Sequence, residues 1–181
     1  MNLVLVGYRG TGKSVIARRL ARRLGWPVVS LDDEIVRLAG KRIPDLVAER
    51  GWGHFRDLEE QTCRHFGALD GQILDCGGGV VEREANAAAL RAHGRVFWLR
   101  ATPATIAARI GGDSNRPSLT GAKSFTEEIA EVLQRRAPLY QAAAHEVIDT
   151  DGRELNDIAT EIARRWRSSA RIPGSTTPIV R

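Results

Sequence analysis

A chain of 181 residues, 43% hydrophobic and 27% charged, can bury one core, and its longest apolar runs, about five to seven residues, exclude a membrane-spanning helix of the usual ~20 residues. The net charge of +5 admits a nucleic-acid partner, but the basic residues are scattered and many fall on solvated helix faces such as "ARRLARRLG", so anionic small substrates account for the balance equally well and no nucleic-acid partner is expected. Two cysteines, Cys63 and Cys76, show no CxxC or Cys/His spacing that suggests a metal site and are expected to be buried thiols.

In chain order, an apolar strand over 2–7 runs through a glycine-rich turn into a helix over 13–24. A strand over 27–31 precedes helical stretches at 33–39, 43–49 and 53–66. Strands at 72–76, 95–100 and 145–149 alternate with helical stretches at 82–92, 103–110, 124–142 and 153–168. Such alternation predicts a three-layer α/β/α domain over 1–168, built on a five-stranded parallel sheet whose near-continuous apolar strands are buried on both sides. The polar stretch "GGDSNRPSLTGAK" (111–123) is expected to be a mobile lid, and 169–181, rich in Ser, Thr, Pro and Gly, a flexible tail. The chain enters a strand at once, with no room for a signal peptide, so a cytoplasmic location is expected, with no membrane association.

The first turn carries the chemistry. "GYRGTGKS" matches G-x-x-x-x-G-K-[ST] through Gly7, Gly12, Lys13 and Ser14, with a strand before it and a helix after it. Such a loop aims successive backbone N–H groups and a helix N-terminus at phosphates. Lys13 can then reach the outer phosphates, and the Ser14 hydroxyl can bind the Mg²⁺ they carry. This predicts a nucleoside-triphosphate site of the P-loop NTPase type. Ligands of open α/β sheets lie beyond the carboxyl ends of the strands, so an acceptor site is sought there. The second strand ends "SLDDEI"; if extension persists, alternation aims Ser30 and Asp32 one way, towards the phosphate loop, and Leu31 and Asp33 the other. Asp32 is then either a base for a hydroxyl or a helix N-cap. "DCGGGVV" sets Gly77, Gly78 and Gly79 after the third strand, as a close-approach surface or a plain turn. Arg56 in "HFRDLEE" and Arg136 in "RRAPLY" suit a carboxylate or phosphate, Arg116 of the polar loop suits a transferring phosphoryl group, and Arg109 precedes that loop. For each of the four, a solvated surface role is the alternative.

"GYRGTGKS", the Asp of "SLDDEI", "FRDLEE", "GGGVV", "RPSLTG" and "RRAPLY", in that order, resemble the shikimate kinase family over roughly residues 2–168. The resemblance implies ATP-dependent phosphorylation of the 3-hydroxyl of shikimate, with Mg²⁺, by a monomer. It implies that Asp32 binds the ring hydroxyls and serves as base or orienting group. Arg56 and Arg136 clamp the carboxylate, and Gly78 and Gly79 donate backbone hydrogen bonds. Gly10, Thr11, Gly12, Lys13, Ser14 and Val15 cradle the ATP phosphates, with Mg²⁺ on Ser14, while Arg116 comes from the lid and Arg109 lies near the adenine. The chain departs from the family in one respect: members often carry D-x-D where this sequence has Ser30-Leu31-Asp32, and alternation turns Asp33 away, so weaker Mg²⁺ binding is expected. A gluconate-type sugar-acid kinase and a nucleotide-binding homologue with weakened catalysis are the competing readings.

Overall fold

The computed structural model describes residues 1–111 and 125–170. Five parallel strands, β1 (Asn2–Val6), β2 (Val28–Ser30), β3 (Ile73–Asp75), β4 (Gly94–Arg100) and β5 (Glu146–Asp149), form one sheet in the order β2-β3-β1-β4-β5. Among the described residues, seven helices connect and cover them: α1 (Lys13–Leu24), α2 (Leu31–Ala39), α3 (Ile43–Gly67), α4 (Glu84–Ala92), α5 (Pro103–Ile110), α6 (Phe125–Ala143) and α7 (Leu155–Ala170). A short 3-10 turn spans Val80–Glu82.

Every residue of β1 is buried, because helices cover both faces of the sheet. Leu3, Leu5, Phe97 and Leu99 pack on one side against Ile16 and Leu20 of α1 and Ile158 and Ile162 of α7. Val4, Val6, Leu74 and Trp98 pack on the other side with Cys63, Leu90 and Tyr140 from α3, α4 and α6. Burying one such Leu or Val side chain contributes about 1.5–3 kcal/mol, and the two faces together fix the three layers expected from the alternation of elements. Both cysteines are free and buried, and burial raises both thiol pKa values.

The strand order decides where chemistry can occur. β1, β3 and β2 lie side by side, so the loops leaving their carboxyl ends form one continuous rim. The expected break between helices 43–49 and 53–66 survives as a kink: α3 runs through, but Gly51 at φ 78° and ψ 168° leaves the helical region. Two boundaries differ from expectation. Helix 82–92 is preceded by the separate 3-10 turn, which carries Glu82. α2 begins at Leu31 rather than 33, because Ser30 in extended conformation caps it, its hydroxyl accepting from the Asp33 N–H at 3.2 Å. The stretch expected as a lid lies outside the described residues except for Gly111, and α7 runs to Ala170, leaving 171–181 outside them as well. Among the described residues, no helix is long and apolar enough to cross a membrane.

Candidate active site

A cavity of about 1120 Å³ opens at the carboxyl ends of β1, β2 and β3, and Gly10, Gly12, Lys13, Ser14, Val15, Asp32, Gly78 and Arg109 all line it. The loop between β1 and α1 is built for this position. Gly12 caps α1 at φ 92°, a left-handed conformation that side-chain-bearing residues avoid, and so presents the start of α1 to the cavity. The Thr11 hydroxyl is turned inward instead, donating to the Tyr8 carbonyl at 2.7 Å and holding the loop closed on itself. The Lys13 ammonium folds across the loop, donating to the carbonyls of Gly7 at 2.9 Å and Tyr8 at 3.1 Å. Burial pushes its pKa down, against the pull of Asp75 and Asp32. Arg109 ties this loop to the end of β5, donating to the carbonyl of Gly10 at 3.3 Å and to the hydroxyl and carbonyl of Thr150 at 3.0 and 2.7 Å.

Asp32 faces the cavity as expected, but by a different geometry. Extension ends at Ser30, so Asp32 and Asp33 sit on the first turn of α2 and both line the cavity. The alternation that turned Asp33 away belongs to a strand; successive helical residues differ by about 100°, not 180°. Burial raises the pKa of Asp32, with Lys13 pulling the other way. A carboxyl so tuned is a stronger base than an exposed aspartate.

Two of the three glycines, Gly77 and Gly79, make room for the side chains of Asp32 and Arg56. A Cβ on Gly77 would sit 2.5 Å from Asp32 Oδ1, and one on Gly79 would sit 2.4 and 2.6 Å from the two terminal nitrogens of Arg56. A Cβ on Gly78 would meet the Arg9 backbone N at 3.3 Å, so the turn also presses against the phosphate loop. The Gly78 carbonyl accepts from Arg136 Nη1 at 3.2 Å and from the Tyr140 hydroxyl.

Arg56 and Arg136, 80 residues apart in sequence, converge just past this turn on a group that sequence reasoning missed. The Glu82 carboxylate accepts from Arg56 Nη2 and from Arg136 Nη2 at 2.7 Å and Nε at 2.8 Å. Burial works against the charge on Glu82, but the hydrogen bond and charge of Arg136, helped by Arg56 and Arg135, hold its carboxyl below the usual range. Glu59, 2% exposed, accepts from Arg56 Nη1 at 2.7 Å and fixes that guanidinium from the other side. Glu59 lies within "FRDLEE" and Glu82 follows "GGGVV", yet only tertiary packing makes them partners of the arginines. Arg116 lies outside the described residues.

A family model described as shikimate kinase matches residues 9–167. The chain belongs to the shikimate kinase family. It is 40% identical to the shikimate kinase of Rhodopirellula baltica over 172 residues, covering 93% of this chain and 91% of the relative. It is 43% identical to that of Nitratidesulfovibrio vulgaris over 150 residues, covering 81% and 85%. Among solved structures, shikimate kinase from Acinetobacter baumannii in complex with shikimate superposes with a TM-score of 0.86 at 30% identity, covering 94% of this chain and 95% of that one. The fold expected for this family, a five-stranded parallel sheet between helices, is the fold observed.

Proposed function

We propose that this chain transfers the γ-phosphoryl group of ATP to the 3-hydroxyl of shikimate, giving ADP and shikimate 3-phosphate, as a cytoplasmic monomer acting on small molecules, with no nucleic-acid or membrane partner. The observation that carries this reading is a phosphate loop and a half-buried carboxylate lining one cavity, with two converging guanidinium groups packed against the glycine turn beside it. ATP supplies phosphates to the loop of Gly10–Val15 and the start of α1, with Lys13 swinging from its two carbonyls to the outer phosphates. Arg109, beside Gly10 and Thr150, borders the nucleotide end. The shikimate carboxylate joins Arg56 and Arg136 by charge-assisted hydrogen bonds, and the backbone of Gly78 and Gly79 lines the ring. Asp32 takes the proton of the 3-hydroxyl as its oxygen bonds to the γ-phosphorus and the bond to the ADP oxygen breaks. In this reading Arg116, outside the described residues, acts on the transferring phosphoryl group.

Mg²⁺ fits the groups present. Among the described residues no three His, Cys, Asp or Glu gather into a metal cluster. The Ser14 hydroxyl and the Asp32 and Asp33 carboxylates line the cavity, hard oxygens of the kind Mg²⁺ takes together with phosphates and water. Ser14 would hold it, and it would neutralise charge building on the phosphates. A coupled ADP-release assay with shikimate and with gluconate tests the reading: turnover with shikimate is expected, and turnover with gluconate alone refutes it. Asp32→Asn should lower turnover by about 10²- to 10⁴-fold while ATP still binds; full activity removes Asp32 from the chemistry.

A further inference from the structure

Asp75, the last residue of β3, has no part in the mechanism above. It is 7% exposed and lines the nucleotide cavity together with Ser14 and Lys13. In the sheet it stands beside Leu5 of β1 on one side and Ser30 of β2 on the other, so it occupies the strand end next to the phosphate loop. The side chains acting on it are Ser14, Lys13, Asp33 and Arg18. Ser30, its cross-strand partner, brings no charge to this corner and uses its hydroxyl to cap α2. The carboxylate hydrogen-bonded to the loop serine therefore comes from β3.

We propose that Asp75 supplies the acidic group of the Mg²⁺ site, accepting hydrogen bonds from the waters of an ion whose protein ligand is Ser14. A strand-end aspartate beside a P-loop serine is the arrangement by which P-loop NTPases hold the ion, and hard carboxylate oxygen suits it. The alternative, a counter-ion kept only to offset buried Lys13, makes a different forecast. The Lys13 ammonium already has two carbonyl acceptors, and a residue serving only that charge affects nucleotide binding with or without metal.

The proposal rests on the nucleotide reading of this loop, so the wild-type chain is measured alongside. Mn²⁺ affinity in the enzyme–ADP complex is read by electron paramagnetic resonance, and metal-free ADP affinity by calorimetry in chelator. Binding of Mn²⁺ and ADP to the wild type tests the nucleotide reading; the ratio of variant to wild type tests Asp75. Asp75→Asn should weaken Mn²⁺ by about 10- to 100-fold, while metal-free ADP binds at least as tightly, since a negative charge facing the phosphates is gone. Mn²⁺ affinity within twofold of wild type, or an equal loss in metal-free ADP affinity, overturns the proposal. Should Asp75→Asn fail to fold, Asp75→Glu reads the same quantity: it keeps the charge but moves it by one methylene, and unchanged Mn²⁺ affinity in that variant also overturns it.

Discussion

Replacing Gly79 by alanine tests one half of the proposed carboxylate clamp. Gly79 has φ −103° and ψ 4°, which alanine can adopt, so the backbone does not resist the change. The three atoms nearest the new methyl all belong to the end of Arg56, at 2.4, 2.6 and 2.9 Å from Nη2, Nη1 and Cζ. Ordinary contact begins at 3.4 Å, so the guanidinium must retreat by about 1 Å, a displacement that can cost about 10²-fold where alignment matters. Losing one well-aligned bond to a charged group costs about 1.5–3 kcal/mol, which converts to a roughly 10- to 150-fold rise in shikimate KM. Stability should change little, because the side chain that moves is long and flexible and a Gly→Ala change restricts the unfolded chain. The assay is initial rate against shikimate at saturating ATP, with a thermal melt on the same preparation. A shikimate KM within twofold of wild type refutes the placement of Arg56 on the substrate; a Tm loss above about 8 °C refutes the claim that only a side-chain tip is disturbed.

The neighbouring substitution separates chemistry from binding: Gly77→Ala pushes on Asp32 Oδ1 from 2.5 Å and should lower kcat by at least about tenfold, with shikimate KM changing less, and the reverse pattern would contradict the assignment. Because burial holds the Asp32 pKa above the usual carboxylate range, and the base acts ionised, kcat/KM should fall as pH drops through a value above that range; a rate flat down to about pH 4 would count against it. Glu146 is partly buried, yet hydrogen bonds from Arg95 and Arg165 keep its carboxyl below its ordinary value. The stability it adds is present above the unfolded-state pKa and lost as pH falls through the lower folded one, so Glu146→Gln should cost about 1 kcal/mol at pH 7, and denaturant midpoints of the two proteins should converge near about pH 3.

What the sequence disclosed depended on how far apart the contributing residues lie. The phosphate loop is one contiguous motif whose strand and helix flanks set its geometry, so it was readable outright. Asp32 was readable as a cavity carboxylate, but its neighbour Asp33 was misplaced because β2 stops after three residues. The signal was present: Ser30 followed three residues later by Asp33 is a helix-start pattern. Glu59 and Glu82 stayed hidden as clamp partners because α3 and the 3-10 turn meet only in the folded chain. Asp75 was quoted with the glycine run, yet the sheet order that sets it beside the loop is not a local property.

The four tryptophans fall into three environments that make the chain its own optical reporter. Trp26 and Trp166 pair edge to face at 5.3 Å against the layer of α1 and α7, and Trp98 is buried in a stack with Tyr140. Trp52 alone among them is solvent-exposed, 60%, and its ring lies 5.6 Å from the Arg56 guanidinium. Emission from that single indole should therefore register when the acid docks, giving a label-free titration that a Trp52→Phe chain would silence.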